Sequence, residues 1–284
     1  MAKIDVPMAT SPMIDRQLPP AQERPPLPQF GEASRTGRIP LLAIAFAIGL
    51  ALFITIDPPR PWILLVVTAL VALGADGIYR LHPRADFHTI ADTAPHLFVP
   101  VLFSLSAGLF LEDVVLSYWA APAVIAAGGL MGAALYAEHI SVEPHSESYP
   151  AARFVLNVIT YLTAFGFYAV VYGFDVELAP AAFAVGLVSM LLSIEVFREA
   201  EADPIRALVF AAVIGVIVGE ARWVLYFVPL EGFLAGVFLL LVFYLTTGVI
   251  SHYLTDHLEH SVLLEFALVT AAGLAIVVGG RVLG

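Results

Sequence analysis

Eight histidines, His82, His88, His96, His139, His145, His252, His257 and His260, are the side chains here best suited to hold a metal or move a proton. The densest group runs from His252 through Asp256, His257 and Glu259 to His260. If the segment is helical, His252, Asp256 and His260 recur every four residues and share one face. Two imidazoles and a carboxylate suit a divalent metal, Zn, Fe or Mn. A second stretch, Glu138-His139 to Glu143, His145 and Glu147, reaches the same membrane face in the topology derived below. The sequence thus nominates His252, Asp256, His260, His139 and His145 as metal ligands. The plainer reading makes them loop residues. The closely repeated HxxxH and HxxHH patterns of membrane di-iron oxygenases and desaturases are not matched: there is one HxxxxH at 252–257 and one HxxH at 257–260.

A second set consists of charges in or beside apolar runs, where an ionised group is costly and usually faces a bundle interior or a cavity. Glu195 and Arg198, with Arg206 opening the next run, form one group, and Glu220 and Arg222 another. Glu265 lies one turn into the last run, and Asp76 near the end of the second. Read functionally, Glu195, Glu220, Arg222 and Glu265 outline an ion or proton path with Glu220 and Glu265 as carriers. Read plainly, they are snorkelling side chains and local ion pairs. A third set, Asn157, Tyr161, Tyr168 and Tyr172, recurs at steps of four, seven and four. It forms a polar helix face that either lines a pocket or hydrogen-bonds to neighbouring helices.

What is missing narrows the chemistry. With no cysteine, disulfides, thiolate metal sites and cysteine nucleophiles are excluded. The only lysine is Lys3, so no lysine Schiff base forms among the apolar runs. P-loop, HExxH and GxSxG patterns do not occur. The histidines gather near one interface, which leaves room only for a shallow haem.

These residues are positioned by a chain that is 60% apolar and only 13% charged, with mean hydropathy +0.90. An average soluble domain is about 25% charged, so lipid must be the solvent for most side chains. The net charge of −11 argues against nucleic acid as a partner. Residues 1–39 are rich in proline, carry mixed charges and have no apolar run. They are expected to be a disordered cytoplasmic tail, and they lack the core of a signal peptide. Residues 40–284 are expected to form an all-α polytopic bundle of about nine transmembrane helices, each run being close to the ~20 residues that cross a bilayer. The expected spans are 40–56, 61–79, 96–111, 114–137, 152–173, 179–197, 204–227, 231–252 and 262–280, with a tight break at Glu112-Asp113.

Orientation follows from arginines. With the N-terminus in the cytoplasm, Arg35, Arg38, Arg80, Arg84, Arg153, Arg198 and Arg206 fall inside, against Arg60, Arg222 and Arg281 outside. Trp62, Trp119 and Trp223 then all sit at the outer interface, and the C-terminus is outside. A bacterial plasma membrane is the expected location. The pairs Gly128/Gly132 and Gly215/Gly219 allow close helix contact, within the chain or in a homo-oligomer. Besides membrane lipid as a partner, three functions stay open: a metal-dependent membrane protein, a small-solute or ion transporter using the intramembrane Glu and Arg residues, and a non-catalytic scaffold or complex subunit.

Overall fold

The computed structural model describes residues 37–82, 87, 89–114, 119–174, 176–200, 203–228, 230–255 and 260–283. Among these residues it is all-helical: α1 (Arg38–Thr55), α2 (Pro61–Arg80), α3 (Ile90–Val114), α4 (Ala120–Ser141), α5 (Tyr149–Gly173), α6 (Leu178–Ala200), α7 (Pro204–Leu225), α8 (Gly232–Leu254) and α9 (His260–Leu283). All nine are long and apolar enough to cross a membrane, which points to a membrane protein. The metal and tail expectations at Asp256 and residues 1–36 lie outside the described residues.

Local chemistry sets the helix starts. Pro61 and Pro204 occupy the first turns of α2 and α7, where the missing N–H costs nothing. Asp203 caps α7, its Oδ1 accepting from the Ile205 amide at 2.9 Å. The boundaries of α3 and α4 differ most from the sequence reading. Helix α3 begins six residues earlier than expected, at Ile90, and contains Pro95 and Pro100. It also runs through Glu112 and Asp113, so those acids are not a break, and α4 starts at Ala120 instead of residue 114. Charged residues in a final turn can extend toward water and need not stop a helix there.

Short connections make consecutive helices antiparallel, and polar contacts join their ends accordingly. Thr93, early in α3, donates to Asp76 near the end of α2. Tyr172 near the end of α5 donates to the Leu225 carbonyl at the end of α7. Helix α5 is central and largely buried, whereas α9 is peripheral, mostly exposed, and packs on α8. Inside, hydroxyls link helices: Thr68 to Ser104 at 3.1 Å and Ser106 to the Thr163 carbonyl at 2.9 Å.

The most extensive contact is α6 on α7. A Cβ added to Gly215 would lie 2.7 Å from the Gly186 carbonyl oxygen, and one on Gly186 the same distance from the Gly215 oxygen. The expected Gly215/Gly219 pair is therefore used, with Gly186 as its counterpart. Gly128 and Gly132 face Ala47 and Ala43 of α1. Large apolar side chains such as Leu73, Ile125 and Phe183 point outward, as lipid-facing residues do. Trp62, Trp119 and Trp223 are exposed at one end of the bundle, where amphipathic rings favour a headgroup layer.

Candidate functional site

At the opposite end, five helices bring together a buried polar network. Helix α2 supplies Tyr79, α3 His96, α4 Glu138 and Ser141, α5 Arg153, and α6 Glu195 and Arg198. Tyr79, Glu138 and Glu195 are wholly buried, and His96, Ser141 and Arg153 nearly so. Arg198 is the hub. Its Nη2 donates to Glu138 Oε2 at 3.1 Å and to Ser141 Oγ at 2.7 Å. Its Nη1 pairs with Glu195 Oε2 at 2.8 Å. Arg153 holds the other oxygen of Glu195 at 2.5 Å and donates to the Glu195 carbonyl at 2.9 Å. Two carboxylates thus share two guanidinium groups inside an apolar bundle.

His96 occupies a conflicted position. Its Nδ1 lies 2.9 Å from Arg198 Nη1, a donor, and 3.0 Å from Glu138 Oε2, an acceptor. One ring nitrogen cannot serve both at once: bare, it accepts from Arg198, and protonated, it donates to Glu138. The Tyr79 ring stands 5.9 Å from the imidazole, and its hydroxyl is buried without a hydrogen-bond partner, as is Glu138 Oε1. Beside the network, the His82 and His139 rings make edge contact at 4.5 Å, and His82 Nε2 is 3.5 Å from Glu143 Oε1.

Several of these side chains occupy places the sequence reading gave to interface loops. His96 lies in the second turn of α3, Glu138 and His139 in the last turns of α4, Arg153 early in α5 and Arg198 in α6. At this end these four helices run three to six residues past their apolar runs, so residues at the polar ends of the runs are still helical and turn inward. Of the expected path, only Glu195 belongs here. Glu220 and Glu265 are exposed on α7 and α9, and Arg222 is buried at the other end of the bundle. The network itself was missed as a unit. Its one sequence signal is a Glu-x-x-Arg at 195–198 on an apolar helix, the i,i+3 spacing of an ion pair.

The expected metal ligands do not converge among the described residues, which hold no group of three His, Asp or Glu able to take a metal ion. His252 Nδ1 instead lies 2.9 Å from the Gly248 carbonyl, and its ring packs on Phe266. His145 is exposed in the turn after α4. The side chain of His260, like Asp256, lies outside the described residues.

The polar face of α5 makes interhelical hydrogen bonds. Tyr161 reaches Thr247 of α8 at 3.2 Å, Tyr168 reaches Ser189 of α6 at 2.6 Å, and Tyr172 donates to the Val228 carbonyl at 2.9 Å. The Asn157 carbonyl oxygen is buried without a partner. Ser189 also donates to its own Val185 carbonyl. Tyr168→Phe is therefore expected to lose only about 0.6 kcal/mol when unfolding is followed in mixed micelles; a loss several times larger would give this hydroxyl more than a packing role.

A family model described as a protein of unknown function (DUF5656) matches residues 49–279. The chain belongs to this family. No curated protein and no solved structure matches it. The matched span includes every residue of the buried network, and it begins inside α1, leaving the proline-rich N-terminal segment outside.

Proposed function

We propose that this protein is a membrane transporter driven by proton exchange, and that His96 and Glu138 are the groups that exchange the proton. The observation that carries the reading is His96 Nδ1, held between the Arg198 donor and the Glu138 acceptor. Gaining or losing one proton there swaps its hydrogen-bond partner, and with it the pull on α4 and α6. A purely structural role explains the arrangement poorly. Buried ion pairs are commonly no more stabilising than apolar packing, and ionisable groups at membrane depth mark ion and proton routes. The unpaired Tyr79 hydroxyl and Glu138 Oε1 leave room for water to bridge into the network. Glu143, His82 and His139 offer titratable groups leading from the end of the bundle toward Glu138. The excess of arginine at this end favours placing it at the cytoplasmic face, with the proline-rich N-terminal segment inside.

The test uses the full chain in liposomes loaded with a pH-sensitive dye, with a potassium diffusion potential applied through valinomycin. Wild type is expected to acidify the lumen under an inward-driving potential. Glu138→Gln and His96→Gln, which keep hydrogen-bonding capacity but not the exchangeable charge, are expected to slow this at least about tenfold. In parallel, infrared spectra of the same membranes follow the carboxyl C=O band as pH is varied, a readout independent of any co-transported solute. Protein-containing liposomes that match empty ones, together with no titrating band that Glu138→Gln removes, would reject the proposal.

A further inference from the structure

At the end of the bundle opposite the network, Arg222 sits in the last turn of α7 with only 4% of its surface exposed. Its Nε and Nη1 are buried and have no hydrogen-bond partner. The guanidinium carbon lies over the Tyr172 ring, 4.8 Å from its centroid. Helix-end carbonyls do not take up the free N–H groups. The Leu225 and Val228 oxygens accept from the Tyr172 hydroxyl, and the Trp223 and Val224 oxygens from the Tyr226 amide. Contact with the ring face leaves the guanidinium N–H bonds, which lie in its own plane, unsatisfied. A buried charged donor without an acceptor is costly, so the fold presents a group whose partner is not in the described chain.

The same side chain lines a pocket of about 440 Å³ with Tyr172, Phe174, Glu177, Leu178 and Tyr226. Phe174, Glu177 and Tyr226 are exposed, so the pocket reaches the surface at the end that carries the three tryptophans. We propose that this pocket binds an oxyanion, a phosphate group above all, on the edge of the Arg222 guanidinium. A planar fork of donors matches a phosphate bidentately, and the aromatic wall and exposed mouth suit either a lipid headgroup or a free anion. Glu177 on the same wall repels that ligand and weakens its binding. The inference is independent of the proton-exchange reading, since no residue is shared between the two sites.

The test titrates inorganic phosphate into the lipid-stripped, detergent-purified full chain by calorimetry, and counts phospholipids retained by gently purified protein in native mass spectrometry. Arg222→Gln is expected to weaken phosphate binding, or deplete retained phospholipid, at least about tenfold. Glu177→Gln is expected to strengthen the same signal several-fold. Arg222-dependent phosphate binding identifies a site open to free anions, and Arg222-dependent retention of phospholipid with little phosphate heat identifies the headgroup as its source. If neither signal responds to Arg222→Gln, the proposal fails. Should Arg222→Gln not fold, Glu177→Gln decides alone: no strengthening, or a destabilised protein with no phosphate response, would make Glu177 the partner of Arg222 and overturn the oxyanion site.

Discussion

Arg198→Met is expected to destabilise the folded protein by roughly 3–5 kcal/mol, the cost of leaving a buried charge without its partner. The side chain pairs with both carboxylates of the network, Glu138 at 3.1 Å and Glu195 at 2.8 Å. Glu195 would keep Arg153, so the uncompensated charge falls on Glu138, which is wholly buried. The double variant Arg198→Met/Glu138→Gln should therefore recover most of the loss, because the charge that lost its partner is gone as well. Glu138→Gln alone should cost less than Arg198→Met. Arg198 then still pairs with Glu195, and about a fifth of its side chain is exposed and can turn toward water. Unfolding in mixed micelles across this cycle gives the coupling between the two residues. A value of at least about 2 kcal/mol is expected, against 0.2–1 kcal/mol for a typical solvated pair. A coupling in the lower range would mean that water reaches the network and that its charges act independently, which would also remove the physical basis for the proposed proton exchange.

Much of the bundle could be read from composition, while the site could not. Nine apolar runs, each near the length of a membrane crossing, predict nine helices because lipid leaves the backbone no other way to satisfy its hydrogen bonds within the run. The runs mark the apolar part of each helix, not its ends. The network uses the ends: His96, the first residue of its apolar run, lies in the second turn of α3, and Glu138 lies just beyond a run that stops at Ala137. Spacing within one helix is a limited guide. His252, Asp256 and His260 share one face only on a single continuous helix, whereas α8 ends at Leu254 and α9 begins at His260. The real neighbours of Glu138 are 42 and 60 residues away in sequence, His96 and Arg198. Such contacts depend on which helices pack side by side, and a single sequence of similar apolar runs does not encode that order in any local pattern. The tyrosine face of α5 was easier, because its periodicity and its hydrogen bonds lie on the same helix surface.

Gly215→Leu is also expected to be strongly destabilising, by a different physical route. The α6–α7 contact is the most extensive in the bundle, and at its centre the two backbones touch. Even the first added carbon at Gly215 would lie 2.7 Å from the Gly186 oxygen and 3.0 Å from the Met190 Cβ. The first of these neighbours is main chain, so no rotamer change relieves the clash and the helices must separate. Separation also loosens Gly219, whose own added carbon would lie 3.1 Å from the Ala182 oxygen. The expected loss is about 3 kcal/mol or more, the upper end for overpacking. Gly129→Ala provides the matched control on α4: nothing lies within 4 Å of its added carbon, so the change should stay within about 0.5 kcal/mol of wild type. Because Glu195 and Arg198 ride on α6 beyond this contact, separating α6 from α7 should also disturb the network. Proton flux in liposomes should then fall in the same variant that loses stability. A Gly215→Leu protein as stable as wild type would mean that α6 and α7 do not pack this closely in the membrane, and the placement of Arg198 against Glu138 would have to be revised with it.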